Sequence, residues 1–456
     1  MKRFRQDMLT GPLFPNIVSY TIPIILTGLL QLLFNAADLV VVGAKGEINL
    51  SAVGATGAIT NLIVNLFIGL SVGAGVTMAH AFGCRDQEAI HRTVHTALPT
   101  AFIGGLVLTV AGIALAETLL RLMDTPETVL PYSTLYMQIY FGGMVFNMVY
   151  NFGAALLRAA GDTKGPLVYL TIAGVCNVVL NLFFVLVLGM TVDGVALATI
   201  ISQGISAVLV VRALMRRTDA ARLQLKKLRI YKPQILKIVR LGLPAGIQGS
   251  LFSISNVLIQ SSVNSFGEVF MAGNTAAGSI EGFVYVTMNA FHQTALNFTG
   301  QNMGAGQYRR VKKILWICLG CVSVLGIAVG GGIYLLREPL LRIYIVDSPN
   351  AAQAIAAGAE RMMFVCLPYF LLGMMDVTTG VLRGLGSSFA PMLISVLGVC
   401  GFRIGWIYTA FVADPTPSTL FVSYPISWVL TFVCQLIAFI WIYRKRIAAQ
   451  TKLQTA

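Results

Sequence analysis

The chain has 456 residues, 56% hydrophobic and only 11% charged, with a mean hydropathy of +0.79. A soluble globular chain carries about 25% charged residues, so this composition excludes an ordinary soluble protein and describes a polytopic membrane protein. The net charge of +14 does not point to nucleic acid, because the basic residues sit between apolar stretches rather than along one solvated face. They read as topology signals and contacts to anionic membrane lipid.

The start, Met1-Lys2-Arg3-Phe4-Arg5, is basic and precedes an apolar stretch too long for a signal peptide, with no small-x-small cleavage site. It is expected to open an uncleaved first helix. A spanning helix needs about 20 apolar residues. On that measure twelve segments follow: 15–43, 51–82, 94–116, 132–157, 166–189, 193–215, 237–263, 270–301, 313–336, 358–382, 390–412 and 419–443. The runs are continuous rather than alternating, which excludes a β-barrel. With the N-terminus inside, only Lys45, Arg121, Arg337 and Arg342 fall in outer loops, while most Lys and Arg fall in inner ones. The expected protein is all-α, with both termini cytoplasmic in the bacterial inner membrane.

The longest polar connection, 216–236, is rich in Arg and Lys and falls at the middle of the chain. It reads either as a basic amphipathic segment on the inner leaflet or as a solvated connector. The two halves repeat: Arg158, Gly161 and Pro166 recur as Arg383, Gly386 and Pro391 at one common offset, and Pro23 and Gly83 as Pro244 and Gly304. Six helices per half is an even number, so the repeat is parallel, about an axis along the membrane normal. The expected organisation is an N-lobe (1–215), a basic linker (216–236), a C-lobe (237–443) and a cytoplasmic tail (444–456).

The chemistry-bearing motifs are few. Gly69-Leu70-Ser71-Val72-Gly73 has the GxSxG spacing, but a nucleophile elbow needs a strand-turn-helix context and this one lies within an apolar helix. Close helix approach is the better reading. Cys318 and Cys321 form a CxxC without His or acidic neighbours, which reads as helix packing. No Walker A, HExxH or dinucleotide fingerprint is present, so enzyme chemistry is not expected. Any pumping must draw on an ion gradient or a partner subunit.

The candidate sites are therefore the polar residues within the apolar segments. Asp38 is a lone carboxylate near the outer end of helix 1, and ionising it in a bilayer costs several kcal/mol unless a cation, proton or hydrogen-bond network compensates. Asn177 and Asn181 share one face of helix 5 and can reach the level of Asp38. Carboxylate and amide oxygens suit Na+, and the same carboxylate can take a proton. In the second half, Glu281, Tyr285, Met288 and His292 form one stripe of helix 8, a candidate proton path with an aromatic and thioether wall for an apolar cation. Asp376 is a further candidate for this substrate or proton site; the alternative reading is a structural ion pair with Arg403, which is the leading reading for Arg403 itself.

These residues resemble the multidrug and toxic compound extrusion (MATE) transporters. The resemblance is carried by Asn35-x-x-Asp38 with Gly43, by Asn177-x-x-x-Asn181, by the paired Leu157–Pro166 and Leu382–Pro391 segments, and by Gly300-Gln301-Asn302-Met303-Gly304-Ala305-Gly306. It implies a twelve-helix, two-lobe, V-shaped antiporter, monomeric, that exports cationic or amphipathic compounds against Na+ or H+ without a further cofactor. It also implies a cation site at Asp38, Asn177 and Asn181, with Asn151 and Thr199 as further members. The chain departs from the branch that carries a helix 7 carboxylate, which would fall near Ser253. Glu281 instead resembles the branch of DNA-damage-inducible F-type and staphylococcal-type pumps, and the departure leaves the coupling ion open. A lipid-linked saccharide or peptidoglycan-precursor flippase is the alternative, but it would want a basic cavity.

Overall fold

The computed structural model describes residues 6–345 and 349–455, with backbone alone at 47, 50, 58 and 449–455. The basic start, Met1–Arg5, lies outside them. Among the described residues every regular element is helical, and a helix stands at each of the twelve apolar segments. We number these α1 (Leu13–Gly43), α2 (Glu47–Gly83), α3 (Gln87–Leu122), α4 (Leu130–Gly142 and Met144–Ala159), α5 (Lys164–Leu182, continued as a π-turn Phe183–Val187) and α6 (Val192–Met215). The second half comprises α7 (Lys232–Asn264), α8 (Glu268–Gly304), α9 (Tyr308–Leu335), α10 (Ala351–Phe364 and Tyr369–Gly384), α11 (Phe389–Phe411, with two π-turns) and α12 (Pro417–Thr455).

Among the described residues, nine helices are long and apolar enough to cross a membrane, or eleven if each bent pair counts as one span. The remaining one, α8, has 37 residues but is too polar, because Asn274, Glu281, Asn289, His292, Gln293 and Asn297 interrupt its apolar surface. Several helices outrun their apolar segments. For α3 the reason is local: the Asp86 carboxylate accepts from the Ala89 amide at 2.9 Å and caps a polar first turn.

The internal repeat extends to backbone irregularities. The fourth helix of each half is broken, by 48° in α4 and 45° in α10, and the fifth of each carries π-turns. Gly161 and its counterpart Gly386 both adopt left-handed backbone, φ 91° and 83°. That region is costly for any residue with a Cβ, which explains why this glycine recurs. Arg85 (φ 55°) holds the same conformation as its counterpart Gly306 (φ 69°).

The described residues form two compact units: 6–7 with Ile22–Ser250, and Met8–Thr21 with the described residues from Leu251 onward. In the first unit, a core of Met78, Phe82, Leu98, Phe141, Met148 and Phe152 joins α2, α3 and α4. Here the GxSxG segment has a packing role. A methyl added at Gly69 would lie 2.1 Å from the Gly246 nitrogen, and one at Gly73 would lie 2.2 Å from the Ile238 carbonyl oxygen. The backbones of α2 and α7 thus touch through glycines, as close helix packing in lipid requires. The Ser71 hydroxyl donates to the Ile68 carbonyl at 2.7 Å. In the second unit α8 and α10 pack along their length, with Met288, Val377 and Val381 fully buried. Large apolar side chains such as Val40, Leu335, Ile437 and Trp441 stand exposed, as expected of surfaces that face lipid.

Candidate functional site

Asp38 sits near the end of α1, half-buried, and faces α5 and α6. The Asn181 amide donates to Asp38 Oδ1, and the same amide nitrogen lies 3.3 Å from Asn177 Oδ1. The one-turn spacing of the two asparagines makes this possible, since both side chains leave α5 on one face. Asn177 and Asn181 are buried, at 5% and 0% exposure. The Thr199 hydroxyl, on α6, donates to the Val195 carbonyl at 2.9 Å and stands close to Asp38. Tyr136 and Tyr140 of α4 stack on each other at 6.0 Å near the same carboxylate.

The donor set is a carboxylate, two amides and a hydroxyl. Asn181 Oδ1 is buried with no hydrogen-bond partner. An orphaned buried acceptor is costly unless something completes it. Together these oxygens fit a hard monovalent cation, and the carboxylate alone fits a proton. Among the described residues no group of three or more His, Cys, Asp or Glu could hold a metal ion. Asn151 is tied to its own helix through its amide nitrogen. Its amide nitrogen donates within α4, to the Asn147 carbonyl and to Asn147 Oδ1, both at 2.9 Å.

The α8 stripe is divided by its neighbours. Glu281 is paired with Arg361 of α10, Nη2 to Oε2 at 2.7 Å, both side chains largely shielded. Arg361 Nη1 also donates to Asn274 Oδ1 at 2.7 Å, and the Tyr369 hydroxyl donates to Glu281 Oε1 at 3.3 Å. Met288 is fully buried against Gly373, so it walls no open surface. His292 Nδ1 lies 2.7 Å from the Asp376 carbonyl oxygen, which makes Nδ1 the protonated nitrogen and donor. Only Tyr285 is substantially open, at 44% exposure. The Asp376 carboxylate lies near Tyr285, and its charged neighbour is Arg383.

The alternative of an Asp376–Arg403 ion pair is corrected: the arginine near Asp376 is Arg383, seven residues on along α10, whereas Arg403 lies 3.9 Å above the Tyr424 ring and donates from Nε to Ser427 Oγ at 3.0 Å. Seven residues is two helical turns, so both side chains leave α10 on one face and their charges influence each other along it. The residues missed in sequence are Arg361, Asn274 and Tyr369. Arg361 lay within an apolar segment and could have been flagged as a buried cation in need of an acid.

The MatE family model matches this chain twice, at residues 23–183 and 244–409, so the two copies begin at the paired Pro23 and Pro244. Probable multidrug resistance protein YoeA of Bacillus subtilis is 27% identical over 398 residues, 84% of each chain. Probable multidrug resistance protein NorM of Thermotoga maritima is 25% identical, covering 85% of this chain and 84% of its own. A FAD transporter of Shewanella oneidensis is 23% identical over 75% of this chain and 77% of its own. Among solved structures, MATE in the bent conformation superposes with a TM-score of 0.85 at 22% identity, covering 96% of both chains. A MOP superfamily transporter from Pyrococcus furiosus does so with 0.86 at 22% identity, over 95% of this chain and 96% of its own.

Proposed function

The chain belongs to the MatE family of membrane transporters, and from that premise we propose that it is a secondary multidrug antiporter of the bacterial cytoplasmic membrane, exporting cationic or amphipathic organic compounds in exchange for Na+ or H+. The observation that carries the coupling role is the Asp38 carboxylate held by Asn181 beside the partnerless Asn181 Oδ1. A proton on Asp38 or a cation beside it competes with the N–H bond from Asn181. Binding there is thereby linked to reorientation of that amide, and through it to the packing of α1 on α5. Asn177 and Thr199 complete the oxygen set.

On the second unit, the open ring of Tyr285 beside the Asp376 carboxylate supports recognition of an organic cation by combined cation–π and charge attraction. Glu281 is a weaker candidate for direct contact, because Arg361 already neutralises it. Exchange is coupled when ion and drug favour opposite conformations of the protein. The basic loops favour cytoplasmic termini. The flippase alternative finds less support, because the relatives' names include multidrug resistance and FAD transport.

The test is efflux of an organic cation from proteoliposomes energised in turn by a Na+ and by a proton gradient. Transport should follow one gradient and stop when an ionophore collapses it. Transport that ignores both gradients would refute the reading.

A further inference from the structure

The basic linker is not a free connector. Leaving α6, it folds back on the start of α3. The Gln224 amide donates to His95 Nε2 at 3.1 Å and the Tyr231 amide donates to Thr96 Oγ1 at 3.1 Å. The guanidinium groups of Arg92 and Arg229 lie 5.4 Å and 5.8 Å from the centre of the Tyr231 ring. Between the linker and the helices is a cavity of about 450 Å³, lined by Phe102 and Ile103 of α3, Val211 of α6, Leu225 and Leu228 of the linker, and Arg229. Its lining is apolar except for Arg229.

Two features decide what fits. The apolar segment of α3 begins near residue 94, so at 1.5 Å per residue Phe102 and Ile103 lie about 12–14 Å inside it, at the depth of acyl chains. The linker side carries Lys226, Lys227 and Arg229, all exposed, while Leu225 and Leu228 turn into the cavity. Phe102, Ile103, Leu225 and Leu228 are each at least 41% exposed, an open apolar surface rather than a closed core.

We propose that this cavity is a binding site for one anionic phospholipid, its acyl chain against Phe102, Ile103 and Val211 and its phosphate on Arg229 with Lys226 and Lys227. An apolar slot crowned by cations is complementary to an anionic amphiphile, and a zwitterionic lipid gains only the apolar part. The linker forms one wall, so an occupant at this site would tie it to α3 and α6. The proposal is independent of the ion and drug transported.

Native mass spectrometry of the full-length protein, with phosphatidylglycerol and phosphatidylcholine of identical chains added in turn, tests it. The wild type should retain one phosphatidylglycerol in clear preference to phosphatidylcholine. Removing Lys226, Lys227 and Arg229 (each →Ala) should weaken phosphatidylglycerol by about fivefold per charge and leave phosphatidylcholine unchanged. Ile103→Trp, which fills the slot, should weaken both. Glycerol phosphate, which offers the charge alone, should displace neither. Equal retention of the two lipids by the wild type would overturn the proposal, as would undiminished phosphatidylglycerol on the charge variant or on Ile103→Trp, or displacement by glycerol phosphate. Should the triple variant not fold, Arg229→Gln reads the same contact.

Discussion

Replacing Arg361 with methionine should damage the fold more than replacing it together with its partner. Arg361 holds Glu281 Oε2 through Nη2 at 2.7 Å and Nε at 3.2 Å, and Asn274 through Nη1 at 2.7 Å. Its side chain is 12% exposed and that of Glu281 is 15% exposed. With Arg361 gone, Glu281 keeps, among the described residues, the Tyr369 hydroxyl at 3.3 Å as a hydrogen-bond donor and Arg403 as a more distant cation. An uncompensated shielded charge of this kind costs about 3–5 kcal/mol, whereas exchanging both partners for apolar residues of similar volume is often near neutral. Arg361→Met and Glu281→Leu should therefore each lower the thermal midpoint of the purified protein sharply, and the double variant should recover most of the loss. The cycle is read by unfolding in detergent, and a coupling of about 2 kcal/mol or more is expected. Strictly additive losses would show that the pair does not hold α8 to α10 as described.

Three further outcomes follow from the same geometry. Gly73→Ala should lower stability by about 1–3 kcal/mol in the same unfolding assay, because its methyl meets the Ile238 carbonyl oxygen and backbone must move. Gly386→Ala should cost about 1–2 kcal/mol through its left-handed backbone, with Gly161→Ala similar in the other half, and unequal losses would argue against equivalent turns. Tyr285→Leu should raise the KM for an organic cation by about threefold or more with little change in expression, since an exposed cation–π contact is worth about 0.5–1 kcal/mol and a partly desolvated one more. An unchanged KM would remove Tyr285 from the substrate site.

Much of the fold was legible because the membrane imposes a simple rule: each crossing demands an apolar run, and the twelve runs each became a helix. The repeat was legible because Gly161 and Gly386 answer the same backbone need. Asp38 and Asn181 could be paired from sequence since both are costly in lipid and lie at one depth. The second half was harder. Periodicity places Glu281, Tyr285, Met288 and His292 on one face of α8 but does not say which neighbour covers each one. Arg361 covers Glu281, Gly373 lets Met288 sink, and the Asp376 carbonyl takes His292, leaving Tyr285 open. These contacts depend on how α8 meets α10, some 80 residues away in sequence. For the same reason the ion-pair alternative for Asp376 named the wrong arginine: Arg383 was near in sequence, but Arg403 was the more conspicuous intramembrane cation. The linker's return onto α3 was also hidden, because it rests on backbone amides meeting His95 and Thr96.

We propose that the coupling ion acts at Asp38. It is tested most directly by Asp38→Asn, reconstituted at wild-type level and assayed for organic-cation efflux under the gradient that drives the wild type. Asparagine keeps the shape and a hydrogen bond to Asn181 but removes the titratable, cation-binding charge. Gradient-driven export should be lost while the variant remains folded and still binds the organic cation. Export by Asp38→Asn at the wild-type rate, still dependent on the gradient, would contradict it.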